Sequence, residues 1–373
     1  MASPTTYRYP ETTALLEQAV RDRVFPGCAF AVLGPGEKVP SEGAAQAVGH
    51  FTYEPDAPRV GPGTSFDLAS LTKVLATTMA VMQLYERRQL ALDTPVPEWL
   101  PEFAAANSSD RRRTQVTVRM LLDHSSGLPG YARLFESAHT PIEMIAAAVR
   151  QPLTADPGMR AEYSDIGFII LGRLIEKITN ERLDTYCRRE IFGPLGMLTT
   201  GYRPAPEVRA AIPPTEDDRT FRHRIIQGEV HDENASSMDG VAGHAGLFSN
   251  ALDPLRVAAC MLAGGITSSR VQLFSPQTIA LFAARSLQPS GTSRALGWDT
   301  PSVPSSAGKL FSQRSIGHLG YTGTSLWIDL DAGVAVTLLT NRTWPDRSSQ
   351  AIRELRPRFH DTLRRELSAD HKN

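Results

Sequence analysis

The chain has little cysteine, no long apolar run and no excess of charge of either sign. Cys28, Cys187 and Cys260 are the three cysteines among 373 residues. Odd in number and widely spaced, they exclude a disulfide framework as the main staple and offer no metal knuckle. A reducing compartment is the simpler expectation. No stretch approaches the ~18 apolar residues that cross a bilayer. Met1 to Pro10 is polar and proline-bearing, without the charged segment and apolar core of an export signal, so the reading is a cytoplasmic protein without a membrane partner. The 39 basic and 40 acidic residues are mixed along the chain, which leaves no footprint for nucleic acid or anionic lipid. The densest basic run, Arg111–Arg113, reads as a solvated loop.

What is present is the composition of a folded globular protein, 41% apolar and 21% charged. The length exceeds one ordinary core and suits a large domain plus a second. Leu15, Leu16, Val20 and Val24 recur at near-helical spacing over 12–24. Gly27 to Leu33 is an apolar run closed by Gly34-Pro35-Gly36, which marks a buried strand and its turn. Near the other end, Thr324 to Leu330 and Val334 to Leu339 flank Asp331-Ala-Gly333 and predict a hairpin, and 349–367 is helical in pattern. Between the ends the pattern is mostly helical. The segment 71–90 is apolar on nearly every face, which predicts a helix buried on all sides. Thr117 is placed to cap a helix, and another runs from Asp165 to Ile178. The expectation is an α/β (α+β) domain from 10–66 and 240–373, an antiparallel sheet flanked by helices, with a mainly helical domain, 67–239, inserted and the active site in the cleft between them.

A serine hydroxyl becomes a nucleophile when a neighbouring lysine can take its proton. Ser70-Leu-Thr-Lys73 puts both side chains on one helical face, at a helix start whose free N–H groups favour a developing oxyanion. Burial there is expected to lower the lysine pKa toward that of a general base. A second Ser-x-x-Lys, Ser306 to Lys309, lies in a Pro/Ser/Gly loop that cannot fix the pair. Tyr163-Ser164-Asp165 precedes a helix, and its phenol can shuttle protons. Gly317-His-Leu-Gly320 leads into Tyr321-Thr-Gly-Thr-Ser325, where glycines let backbone N–H groups approach a substrate.

These three segments, in this order, resemble the serine–lysine, tyrosine and Lys-Thr-Gly-type motifs of the class C β-lactamase superfamily, which includes D,D-peptidases, D-aminopeptidases and family VIII carboxylesterases. Phe66 to Lys73, Leu121 to Pro129, Pro194 to Met197, Gly246 to Ser249 and Leu339 to Arg342 extend the likeness from about residue 12 to about 365. The resemblance implies a β-lactamase/transpeptidase-like fold, Ser70 as acylated nucleophile, Lys73 and Tyr163 sharing base and acid roles, and an oxyanion hole from the N–H groups of Ser70 and Tyr321, with Gly320 and His318 beside it. Asp165 stands where many members have asparagine, and His318 where lactamases and peptidases have lysine. Both departures make the site less positive and favour small uncharged esters over carboxylate-bearing substrates. An esterase working on a small ester or amide is the expectation, with D-aminopeptidase, D,D-peptidase or weak β-lactamase activity, or an acylatable sensor or scaffold, as alternatives. No cofactor is implied. No Gly-x-Ser-x-Gly elbow is present, and His231-Asp-Glu233 with His244 lacks metal-ligand spacing, so no metal is expected. Gly240 to Leu247 reads as a close-packed loop edging the cleft.

Overall fold

Strands from the two chain ends meet in one antiparallel sheet. The computed structural model describes residues 8–370; the segment 1–7, part of the leader reading, lies outside the described residues. The strands are β1 (Gly27–Leu33), β2 (Ala45–Gly49), β3 (Phe66–Asp67), β4 (Gly201–Tyr202), β5 (Pro214–Asp218), β6 (Arg224–Gln227), β7 (Leu247–Ser249), β8 (Ile316–Leu319), β9 (Ser325–Asp329) and β10 (Val334–Thr340). The main sheet runs β2-β1-β10-β9-β8, with Phe30 opposite Leu338.

The unbroken apolar run of β1 follows from cover on both faces. Cys28, Phe30 and Val32 point into an outer cluster with α1 (Pro10–Arg21) and the C-terminal helix, while Ala29, Ala31 and Leu33 join the large core shared with the helical region. At the N-terminus of α1, Glu366 of the C-terminal helix accepts the amides of Glu11 and Thr12 at 2.7 and 2.9 Å. A carboxylate at that end offsets the orphan N–H groups where Tyr9 offers no side-chain cap.

The buried central segment is π-helical from Lys73 to Thr78 and then continues as α2 (Met79–Glu86). Every residue from Lys73 to Leu84 is buried, as the apolar sequence requires. Thr117 caps α3 (Val118–Leu122) by accepting Met120 N–H, and Ser164 caps α4 (Asp165–Thr179) by accepting Gly167 N–H at 3.0 Å. The C-terminal helix, α5, spans Ile352–Asp370.

Gly317 to Leu319, where glycines at a strand edge were expected, lies within the edge strand β8, and a Cβ on Gly317 would sit 2.2 Å from the Trp327 ring. Arg113 is fully buried rather than solvated, because its guanidinium donates to the carbonyls of Phe103, Gln151 and Val149 and its ring-facing side lies on Phe103. A division at 66/67 passes through β3, which pairs with β7. No helix among the described residues is long and apolar enough to cross a membrane.

Candidate active site

The nucleophile sits on a pinned turn. Asp67, buried at the end of β3, accepts Ala69 N–H at 2.8 Å and His231 N–H at 2.6 Å. Ala69 is held at φ +46, a conformation unfavourable for a residue with a Cβ, and Ser70 follows at the head of the buried helix. Burial pushes the Asp67 carboxyl up to about 6 against the lowering effect of its two amide donors. The turn after β8 is clamped to the same segment. Thr322 and Thr324 hydroxyls donate to the carbonyls of Asp67 and Leu68 at 2.8 and 3.0 Å, and Arg356 Nη2 donates to Gly320 and Thr324 carbonyls. Gly320 is required here, since a Cβ would lie 1.9 Å from Thr324 Oγ1 and 2.5 Å from Leu68 O. Its N–H is taken by Thr324 O, whereas the N–H groups of Ser70 and Tyr321 donate to no acceptor among the described residues. The clamp therefore joins the two segments that carry these free donors, and both residues line the same cleft, as an oxyanion hole needs.

Lys73 Nζ lies 2.9 Å from Ser70 Oγ and 3.0 Å from His244 O. The helix delivers the first contact through its i, i+3 spacing. The second depends on the glycine loop 240–247, whose Gly243 packs so closely on α4 that a Cβ would meet Phe168 O at 2.1 Å. The lysine is also 2.6 Å from Asp165 Oδ1. The expectation of a depressed lysine pKa is corrected by this contact. Burial does act to lower it, but the charges and hydrogen bonds of Asp165 and Tyr163 outweigh burial and hold the ammonium above its ordinary value.

Tyr163 reaches the same centre by a different route. The loop 124–130 holds the segment before α4 through Glu162 N–H to His124 O at 2.9 Å, Asp165 N–H to Gly130 O at 2.8 Å and Ser164 N–H to His124 Nδ1 at 3.0 Å. This binding gives the Leu121 to Pro129 text a physical role that its sequence did not disclose. The Tyr163 ring packs 4.7 Å from His124 and 5.7 Å from His318, and Lys73 Nζ lies 4.9 Å from its centroid. Burial raises the phenol pKa; Lys73 and Ser70 lower it only in part.

His318 Nδ1–H donates to Leu319 O at 2.7 Å. Burial and the nearby charges of Lys73 and Arg294 push its pKa well below the ordinary value, so it is neutral. The inference that its surroundings therefore lack positive charge does not hold. A groove of about 360 Å³ beside Ser70, Tyr163, His318 and Tyr321 is lined by Arg294, Arg342, Arg353 and Arg356, against the single carboxylate of Asp299. Arginines scattered over 63 residues carry no motif, which is why the sequence concealed them. A second recess of about 370 Å³, which shares Ser70, Tyr163 and Tyr321 with the groove, is lined by Asp165, Tyr131, His231, Asp232 and His244. Of the histidine and acidic residues weighed above, His244 and Asp232 are bonded to each other, His244 Nε2 being 2.9 Å from Asp232 Oδ1, and Glu233 pairs with Arg347 at 2.9 Å. The structure thus brings Ser70, Lys73, Tyr163, Asp165, His318, Gly320 and Tyr321 together. It leaves the second Ser-x-x-Lys elsewhere, on a loop tied to α5 by Lys309 N–H to Asp361.

Known proteins resemble this chain over most of its length. An N-acetylmuramyl-L-alanine amidase of Bacillus subtilis (strain 168) is 36% identical over 305 residues, covering 75% of this chain and 68% of that protein. A protein of Escherichia coli (strain K12) provisionally named D-alanyl-D-alanine carboxypeptidase is 33% identical over 307 residues, covering 75% and 69%. Simvastatin synthase from Aspergillus terreus superposes with a TM-score of 0.74 at 21% identity, over 96% of this chain and 98% of that one, which shows the shared β-lactamase/transpeptidase-like fold. The Beta-lactamase family model matches residues 12–357, and the chain, a β-lactamase-like serine hydrolase, belongs to that family.

Proposed function

We propose that the protein cleaves peptide-like amides bearing a carboxylate on the departing group, through an acyl-enzyme on Ser70. The observation that carries this reading is the arginine groove against the nucleophile. Position 318 lacks a lysine, but Arg294 and Arg353, in a groove framed by Arg342 and Arg356, supply the cation by another route, and a charge-assisted contact contributes about 1.5–3 kcal/mol. The relatives named for amidase and carboxypeptidase activity support the same choice.

In this mechanism Ser70 Oγ attacks the carbonyl while the N–H groups of Ser70 and Tyr321 hold the oxyanion. The serine proton passes to the Lys73–Tyr163 pair, and the same pair returns a proton to the departing amine. Water then releases the acyl group. Lys73 accepts a proton only after losing its own, so activity rises toward alkaline pH. Activated esters need less from the site than amides, and they are expected as additional substrates; this retains the esterase activity inferred from sequence as a secondary one.

The test is a matched pair, benzoylglycyl-D-alanine and its C-terminal amide. The carboxylate form is expected to have kcat/KM about tenfold or more higher, with the preference reduced in Arg353→Ala. Equal rates, together with efficient turnover of p-nitrophenyl butyrate, would favour the uncharged-ester reading instead. Ser70→Ala is expected to abolish turnover while thermal unfolding stays unchanged, and a phosphonate adduct should map to Ser70 by mass spectrometry.

A further inference from the structure

The second recess at Ser70 has the reverse electrical character of the arginine groove. Its wall contains three carboxylates, those of Asp165, Asp232 and Glu233. Two have fixed cations: Lys73 lies 2.6 Å from Asp165, and Arg347 lies 2.9 Å from Glu233 while also pairing with Glu216. Asp232 has no arginine or lysine within ion-pair distance among the described residues; its side-chain partner is the His244 ring. The carboxylate is held in place by Ala235 N–H at 2.8 Å and keeps about a fifth of its surface open, at 21%.

A second observation sets this recess apart from a surface cluster of acids. His231 forms part of its wall, is 3% exposed, and has no hydrogen-bond partner at either ring nitrogen among the described residues. His244 Nδ1, also buried, is likewise without one. Buried polar nitrogens left unpaired beside a cavity leave hydrogen-bonding capacity for something that enters it. The remaining walls are aromatic. Tyr321 stacks on His231 with centroids 5.7 Å apart, and the half-exposed Tyr131 ring faces the same space. Aromatic rings and a partly open carboxylate that no lysine or arginine pairs are the surroundings that hold a cation.

We propose that this recess binds the protonated primary amine of the substrate's acyl portion, with Asp232 as its counter-ion and Tyr131 and Tyr321 as its walls. The ligand class is an amino-acyl group with a free ammonium. The inference rests on the acyl-enzyme reading, because Ser70 borders the recess and fixes where the acyl carbonyl lies. Asp232 is here a specificity residue, not a participant in bond breaking.

Alanine p-nitroanilide and isobutyryl p-nitroanilide are isosteric, the ammonium of one replacing a methyl of the other. Their dissociation constants are to be measured by calorimetry on the Ser70→Ala protein at pH 6.5, for both enantiomers of the alanine compound. The alanine compound is expected to bind about tenfold or more tightly, the gain of one charge-assisted contact. The preference is expected to shrink at pH 9, where an α-amino group of ordinary pKa near 8 is neutral, and to disappear in Ser70→Ala/Asp232→Asn. Equal binding of the two compounds, or a preference that persists at pH 9 or in the Asp232 variant, overturns the proposal. The pH comparison uses a single protein and does not depend on the folding of the double variant. Because binding is read without turnover, failure here leaves the acyl-enzyme reading intact; that reading fails separately, on the Ser70 adduct.

Discussion

Asp165→Asn isolates the ion pair that governs the proton supply of the site. The substitution keeps the shape of the side chain and removes one charge 2.6 Å from Lys73 Nζ. At an effective dielectric constant of about 20, a pair at that distance interacts by roughly 6 kcal/mol, which is a ceiling because water also solvates the separated charges. Discounting for desolvation, the native pair is expected to contribute about 3 kcal/mol at neutral pH. The loss is self-limiting. Once the carboxylate is gone, burial acts without its main opponent, and a lysine that sheds its proton no longer leaves a buried charge. In the native protein the lysine pKa lies above its unfolded value, so the stability contributed by the pair is present below the ordinary lysine range and is lost as pH rises through the elevated folded pKa. In the variant the folded pKa falls, and a neutral Lys73, competent as a base, appears at lower pH. The ascending limb of kcat/KM against pH should move to lower pH by at least about one unit, measured with p-nitrophenyl butyrate under buffer-matched blanks. An unmoved limb, or one displaced upward, would refute the proposed base role of Lys73.

Lys73→Ala and Tyr163→Phe should each lower kcat by orders of magnitude, while the double variant loses less than the product, because groups that move one proton act as a unit; simple multiplication of the losses would place them on separate proton paths. Gly320→Ala forces a methyl to within 1.9 Å of Thr324 Oγ1. It should reduce stability by about 1–3 kcal/mol and lower kcat more than it raises KM, since the clamp that sets the Tyr321 amide must shift; a stable variant with unchanged kcat would show that the clamp does not set the amide.

The parts of this site that were legible in the sequence are those carried by local spacing. Ser70 and Lys73 are joined by one helical turn, and the cap at Ser164 announces the helix that follows Tyr163. The buried strand β1 was visible because its apolar run is unbroken, although only the structure shows that its two faces serve different cores. What remained hidden depends on contacts distant along the chain. Asp165 is ninety-two positions from the lysine it pairs with, and a carboxylate's sign alone suggested repulsion of a substrate where the folded chain uses it to hold an ammonium. The same limitation explains Arg113. Three consecutive arginines look solvated until the carbonyls of 103, 149 and 151 converge on one of them.

Position 318 shows why charge at a site has to be summed over the fold. A histidine there donates from Nδ1 to its neighbour's carbonyl, so in its neutral form Nε2 is left as an acceptor, and the residue cannot replace a lysine. Arg294, from the loop before β8, lies 5.2 Å from the Tyr163 ring centroid, while Arg353 and Arg356 reach the groove from α5. Burial of Arg356 lowers its pKa to about 9, and its contacts with the carbonyls of Gly320 and Thr324 commit it to holding the oxyanion turn. Arg342 is likewise committed, to Tyr321 O and Ser349 O. The exposed Arg353 has no hydrogen bond or ion pair to an acid among the described residues, and Arg294 faces Asp299 only at 3.9 Å. These two are therefore the cations free to meet an incoming anion, while the other two fix the frame. With Asp232 in the second recess at Ser70 and these arginines in the first, the cleft would favour a substrate whose positive and negative ends occupy different recesses. Placed the wrong way round, the same molecule would set ammonium against arginine and carboxylate against Asp232, so the charges that attract the substrate also select its direction across the nucleophile.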